Sequence, residues 1–193
     1  MRNLFLYMTM TFDGFIAGPN NELDWMGTAA EEDPELNKAI VDLISRADTG
    51  IMGYPTASEL IPYWSSVARN PSAPKGEHDL ADAINKIHGI AISDKEEKFD
   101  LSNAELLVVK DDNELVQAVT KLKKQPGKSL WIPGGVRTAQ TFARLGLIDE
   151  YDLRVHPVAI GNGKRLFTSK VNLELVSTKT YKSGIMHVCY RPR

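Results

Sequence analysis

The sequence predicts an α/β fold in which a mixed β-sheet carries helices on both faces. Two patterns predict it. Along the first three quarters of the chain, short apolar runs alternate with stretches of helical spacing. The last quarter then changes to strand patterns, two of them joined by the turn-length gap Lys182-Ser183-Gly184 of a hairpin. Size adds a third constraint. With 193 residues, 42% hydrophobic and 25% charged, the chain has ordinary globular composition and the length for one domain, 1–193, with a substantial core.

Leu4 to Thr11 is short, apolar and rich in aromatic and β-branched residues, as expected of a buried first strand. Asp13-Gly14 and Gly18-Pro19-Asn20-Asn21 are turn chemistry, so the chain leaves the sheet there in a loop held by Phe15 and Ile16. Asp33 as N-cap with Pro34 in the first turn, followed by Leu36, Ile40, Leu43 and Ile44, predicts a helix to about Ala47. The acids Glu31, Glu32 and Asp33 then serve as partners of that helix dipole. Thr49 to Gly53 reads as a second strand, and Gly53-Tyr54-Pro55-Thr56 opens a helix that buries Ala57, Leu60 and Ile61.

Pro62 to Gly76 contains prolines, serines and a terminal Gly, and is expected to be a surface loop. A helix from His78 to Ile87, strands over Gly89 to Ser93 and Glu105 to Val109, and a helix from Asp111 to Lys124 follow by the same reasoning. Ser129 to Ile132 is a strand that meets Gly134-Gly135 and a helix from Val136 to Leu145. Tyr151 to Ile160 alternates as a long strand, and Leu173 to Tyr181 pairs with Ile185 to Arg191.

Charge and composition exclude several function classes. A formal net charge of -2 gives no general basic face for nucleic acid or an anionic membrane, so an anion site would have to be local. No apolar run has membrane-spanning length, and the single Cys189 cannot form an internal disulfide, which points to a cytoplasmic protein. The four histidines, His78, His88, His156 and His187, lack metal spacing, so no built-in metal site is expected. Gly127-Lys128-Ser129 fails as a P-loop because Leu122 occupies the first glycine position. Gly161-Asn162-Gly163 fails as a dinucleotide fingerprint because Leu166 stands at the third. No Gly-x-Ser-x-Gly elbow occurs.

The remaining candidates are loops at strand ends: the Asp13 loop, Gly53-Tyr54-Pro55-Thr56, Ser93-Asp94-Lys95 and Gly134-Gly135. In a sheet of parallel strands these ends share one edge, where extended nucleotide-like ligands bind. At Gly134-Gly135, glycine allows close backbone approach and the first turn of the following helix offers unpaired N–H groups to phosphate.

These stretches carry a resemblance. Phe12-Asp13-Gly14-Phe15-Ile16-Ala17-Gly18, Leu23-Asp24-Trp25, Met52-Gly53-Tyr54-Pro55-Thr56, Ile132-Pro133-Gly134-Gly135 and Leu147 to Leu153, leading to Pro157 to Gly163 and Leu166-Phe167, occur in family order over nearly the whole chain. The chain resembles the dihydrofolate reductase-like superfamily and, within it, the reductase domain at the C-terminus of the bifunctional deaminase-reductase of riboflavin synthesis. That resemblance implies a three-layer α/β/α fold with a mixed, mostly parallel eight-stranded sheet and an antiparallel C-terminal hairpin. It also implies a homodimer and hydride transfer from NADPH to a pterin-, pyrimidine- or similar heterocycle-like molecule.

The implied site follows residue by residue. Gly134 and Gly135 would cradle the pyrophosphate, with Val136, Arg137 and Thr138 at the helix start. Gly53, Tyr54 and Thr56 would form a second phosphate contact. Ser93, Asp94 and Lys95 would hold the adenosine side, Lys95 facing a 2′-phosphate, and Thr9, Ile16 and Ala17 the nicotinamide carboxamide. Asp13, then Asp24, are the candidates to assist protonation or anchor the substrate. Tyr54 stands where relatives carry Arg and cannot offer a forked charged contact, so NADH is not excluded as cofactor. A nucleotide-binding or sensor protein without turnover is the alternative reading.

Overall fold

A computed structural model describes residues 1–27 and 33–193; Glu31 and Glu32 lie outside the described residues. The first strand, β1 (Leu4–Thr11), runs through the middle of the sheet with its apolar first half fully buried. A three-residue strand, β2 (Phe15–Ala17), and a 3-10 turn over Asp24–Met26 follow. Helix α1 (Pro34–Ile44) starts where its sequence specifies: the Asp33 side chain accepts from the Leu36 N–H at 3.1 Å and Pro34 occupies the first turn.

Strand β3 (Ala47–Gly53) passes directly into helix α2 (Tyr54–Arg69), and helix α3 (Lys75–Ile84) precedes strand β4 (His88–Ser93). Strand β5 (Ala104–Val108), helix α4 (Asp112–Lys124), strand β6 (Ser129–Ile132) and helix α5 (Val136–Arg144) continue the alternation. Strand β7 (Glu150–His156), the short β8 (Lys164–Arg165), β9 (Leu173–Thr180) and β10 (Met186–Pro192) complete the described elements.

The main sheet is eight-stranded in the order β5-β4-β3-β6-β1-β7-β10-β9. Pairings are parallel from β5 to β7, and β10 joins β7 and β9 antiparallel. The expected mixed sheet with its antiparallel hairpin is therefore present. Alternation along β1 sorts the two layers. Leu4 and Leu6 pack with Leu115 and Val119 of α4 and Phe142 of α5, whereas Phe5 packs with Leu36, Ile40 and Ile44 of α1 and Trp131 of β6. Met52 and Ala91 seat Ala57 of α2.

Three local expectations are corrected. The segment after Pro62 is helical as far as Arg69 rather than a loop. The proline removes one N–H whose acceptor would be the Ser58 carbonyl; both residues are exposed, so water replaces that bond. Trp64 and the buried Val67 keep the last turns against the protein. Strand β7 stops at His156, where Pro157 follows, instead of reaching Ile160. The β2–β8 ribbon has no alternation long enough to be read as a strand pair, because it contains only Phe15–Ala17 against Lys164–Arg165.

Candidate functional site

Because β1, β3, β4, β5, β6 and β7 are parallel, their C-terminal ends lie along one edge, and the loops singled out from sequence gather there. Strands β3 and β6 are neighbours, yet α2 leaves β3 toward the α1 face and α5 leaves β6 toward the opposite face. Such a divergence opens a crevice beyond the strand ends.

The starts of α2 and α5 meet across that crevice. The Gly53 N–H donates to the Thr138 hydroxyl at 3.1 Å. A Cβ at Gly53 would come within 3.0 Å of Thr138 Oγ1, and one at Gly135 within 2.9 Å of Thr56 Oγ1. Gly135 also has φ +86°, where any side chain is strained, and the space beside Gly134 is open. Neither N-cap, Gly53 nor Gly135, supplies a side-chain acceptor, so two sets of first-turn N–H groups remain for another acceptor. Gly53, Thr56, Gly135 and Thr138 are thus brought together. Val136 packs against the core, and Arg137 extends from the same turn into solvent.

The other expected residues border this crevice in different ways. Tyr54 does not turn toward the helix starts: its hydroxyl donates to the Lys98 carbonyl at 3.3 Å and its ring tilts against Phe99 at 6.0 Å. It joins α2 to the loop after β4. Ser93 is buried and its hydroxyl accepts from the Lys95 N–H at 3.2 Å, which shapes the Ser93-Asp94-Lys95 turn. Asp94 is exposed, and Lys95 pairs at 3.4 Å with Glu97 while its side chain stays largely in water, a weak contact that a stronger anion can replace.

Asp13 is held from several sides. It accepts from the Thr11 hydroxyl at 2.6 Å and from the backbone N–H groups of Ile160 at 3.1 Å and Gly161 at 2.8 Å. The Thr11 hydrogen bond, helped by those two backbone donors, holds its carboxyl below the usual carboxylate range. Asp13 therefore fastens the β1–β2 turn to the loop after β7. Ile16 and Ala17 are buried in β2, and Gly163 passes so close that a Cβ there would sit 2.3 Å from the Ala17 carbonyl oxygen. Asp24 is exposed at the start of its 3-10 turn and is not gathered with Asp13.

Sequence reading missed the polar face of β7. Asp152, Arg154 and His156 alternate with the apolar Tyr151, Leu153 and Val155, and they register with Tyr7, Thr9 and Thr11 of β1. Arg154 donates to Thr9 Oγ1 from Nε at 3.2 Å and from a terminal nitrogen at 2.9 Å, so the Thr9 hydroxyl belongs to the arginine. His156 is 3% exposed and meets Trp25 edge-on at 5.6 Å. Burial, reinforced by Arg154, pushes its pKa down to about 4. The period-two pattern carrying these residues is visible in the sequence, but only the register with β1 shows what its polar half meets.

Glu150, Asp152 and Cys189 have ligand atoms within 4.8 Å of one another. Glu150 is bound by Arg46 at 2.6 Å and Arg191 at 3.0 Å, and Arg46 also stands 3.9 Å from Asp152, so two guanidinium groups already offset the charge of the cluster. Burial pushes the Cys189 thiol up to about 12, which makes it a poor thiolate donor.

The RibD C-terminal domain family model matches residues 2–187. The chain belongs to the RibD C-terminal domain family. Among curated proteins, it is 32% identical to the uncharacterized protein YyaP of Bacillus subtilis (strain 168), over 98% of this chain and 94% of that one. Among solved structures, a putative riboflavin biosynthesis protein from Shewanella sp. PV-4 superimposes with a TM-score of 0.71 at 21% identity, covering 99% of both chains. Dihydrofolate reductase from Enterococcus faecalis, solved with NADP(H), gives a TM-score of 0.62 at 11% identity over 99% of this chain and 96% of that one. A RibD C-terminal domain thus shares its reductase-like fold with dihydrofolate reductase.

Proposed function

We propose that the protein is an NAD(P)H-dependent reductase that transfers hydride to a pterin-, pyrimidine- or similar heterocycle-like small molecule. The observation that carries this reading is the meeting of two uncapped helix starts at Gly53 and Gly135, with a threonine hydroxyl within 3.0 Å of where a Cβ would stand at either glycine. A pyrophosphate fits that chemistry, since both helix dipoles and both sets of N–H groups favour negative charge. Gly134, Gly135, Val136, Arg137 and Thr138 would hold it with Gly53 and Thr56, and Ser93, Asp94 and Lys95 would border the adenosine. Thr9, Ile16 and Ala17 would line the nicotinamide end. NADPH, when bound, supplies the hydride; the chain orients the two rings and keeps water out.

Titration of purified protein with NADPH and NADH tests the reading. Saturable NADPH binding is expected, with Lys95 favouring the 2′-phosphate. Gly135→Asp should abolish it, because the substitution adds a carboxylate and a Cβ to the cradle. No binding at millimolar cofactor, or unchanged affinity in Gly135→Asp, would sink the assignment.

The alternative is a nucleotide-binding or sensor protein without turnover. It is favoured by Asp13, whose carboxylate is committed to three donors and kept ionised, and by Asp24, which stands exposed and apart from it. Under the reductase reading, Asp13 serves to position the loops, and the proton comes from solvent or the substrate's own acidic group. Steady NADPH oxidation with any member of a panel of pterins and ribosylaminopyrimidines would exclude a pure binder. A cytoplasmic homodimer belongs to the same proposal, with the exposed β9 edge strand as its candidate partner surface.

A further inference from the structure

Two dipeptides of the same reactive kind come together where the loop after β7 meets the β1–β2 turn. Asp13-Gly14 is the one Asp-Gly pair in the sequence, and Asn162-Gly163 is the one Asn-Gly pair. In such pairs glycine leaves its backbone nitrogen unshielded, so that nitrogen can attack the carbonyl carbon of the preceding side chain. Whether it does depends on how the two reacting groups are held.

At Asp13-Gly14 both are held. The carboxylate accepts from the Thr11 hydroxyl and from the N–H groups of Ile160 and Gly161, and the Gly14 N–H donates to the Thr11 carbonyl at 3.0 Å. The same hydrogen bonds keep the acid ionised, which denies it a leaving group. At Asn162-Gly163 neither is held. Asn162 is exposed, and among the described residues neither its side-chain amide nor the Gly163 N–H makes a hydrogen bond.

The loose pair sits inside a clasp. On one side Gly161 donates to Asp13; on the other Lys164 pairs with Ala17 and reaches Asn21. Arg165 donates to the Asp13 carbonyl at 3.1 Å and lies over the Phe15 ring at 4.3 Å. Gly163 itself rests on the Ala17 carbonyl with no space for a Cβ. The loop after β7 thereby fastens β2 in place.

We infer that Asn162 is a site of spontaneous deamidation, and that its product unfastens β2. The Gly163 nitrogen forms a bond to Asn162 Cγ and gives up its proton; the bond from Cγ to the side-chain nitrogen breaks, and that nitrogen leaves with the proton as ammonia. Water then opens the cyclic imide at either carbonyl. One opening gives aspartate. The other gives isoaspartate, in which the main chain runs through the former side chain and is longer by a carbon. No oxidant or further reactant is required. Both products place a carboxylate next to Gly161, where Asp13 already holds one, and like charges repel. Isoaspartate also moves Gly163 off Ala17. Because Ile16 and Ala17 border the proposed nicotinamide end, the effect on cofactor rests on the reductase reading; the modification does not.

Incubating the full chain for days at mildly alkaline pH, then mapping its peptides by mass spectrometry and assaying isoaspartate by enzymatic methylation, tests the chemistry without any cofactor. Loss of the unmodified Asn162 peptide ahead of every other asparagine is expected, with isoaspartate the larger product and Asp13 unisomerised. Asn162→Gln, whose longer side chain closes an imide far more slowly, should abolish the methylation. An intact Asn162 when other asparagines have converted, or conversion only in the urea-unfolded chain, would overturn the inference. In the isoaspartate form, hydrogen exchange over Phe15–Ala17 and Lys164–Arg165 should quicken. NADPH affinity should fall a few-fold, while that for 2′-phospho-ADP-ribose, which lacks the nicotinamide, holds. Unchanged exchange or unchanged NADPH affinity in that form would overturn the unfastening. Should the unmodified protein fail to bind NADPH while Asn162 converts, the reductase reading falls and the deamidation stands.

Discussion

At the scale of single residues, burial controls titration. His156 is neutral in the native state at any pH above about 4, whereas in the unfolded chain it protonates near its ordinary value of 6.5. Between those values the unfolded state binds more protons than the native one, so stability rises with pH across that window. The slope contributed by this one group can reach about 1.4 kcal/mol per pH unit. We expect urea midpoints to fall as pH drops from about 7 toward 4, and His156→Gln to flatten that part of the profile. An unchanged profile in the variant would remove the histidine from the account. The depressed carboxyls of Asp13 and Asp33 work lower on the scale, since both lose their backbone and hydroxyl donors' preference only once protonated.

At the scale of elements, α2 is the place where local signal and packing disagree. Pro62 in its interior argues for a break, yet the exposed Ser58 carbonyl and the inward Val67 let the helix continue. Pro62→Ala is therefore expected to stabilise the protein by roughly 1–3 kcal/mol, the direction helix propensity gives, as measured by denaturant unfolding. The other helices and the central strands were legible because their signals are local: the Asp33 and Asp111 caps each accept from the N–H three residues on, and the apolar spacing of α1 and α4 is complete. The glycine junctions of the crevice were legible for the same reason. The polar face of β7 was not, because it is shared with β1, and only register brings Thr9 opposite Arg154 and Thr11 opposite His156. Nor could Tyr54 have been placed from its neighbours in sequence; its contacts are with Lys98 and Phe99, some 44 positions away along the chain for the hydroxyl.

At the scale of the whole molecule, the sheet has two unlike edges. Strand β5 sits at one, and β9 forms the other with seven exposed residues out of eight, including Leu175 at 53% exposure and Val176 at 46%. An edge strand with unpaired backbone groups and apolar side chains invites a second copy. If the proposed homodimer uses it, Leu175→Glu should convert the dimer to monomer in light scattering without altering NADPH affinity. A native protein already monomeric at working concentration would refute the dimer itself. The divergence of α2 and α5 has a mechanical side as well. Each helix is rooted in a different layer, and their starts meet at the Gly53–Thr138 hydrogen bond and where Gly135 closes on Thr56. A phosphate group seated across both starts would act as a rivet through the sheet, tying the stability of one layer to that of the other. Hydrogen exchange would show it: on adding cofactor at about 100 times its dissociation constant, worth about 2.7 kcal/mol, the first turns of α2 and α5 should slow together, and protection confined to one of them would deny the rivet.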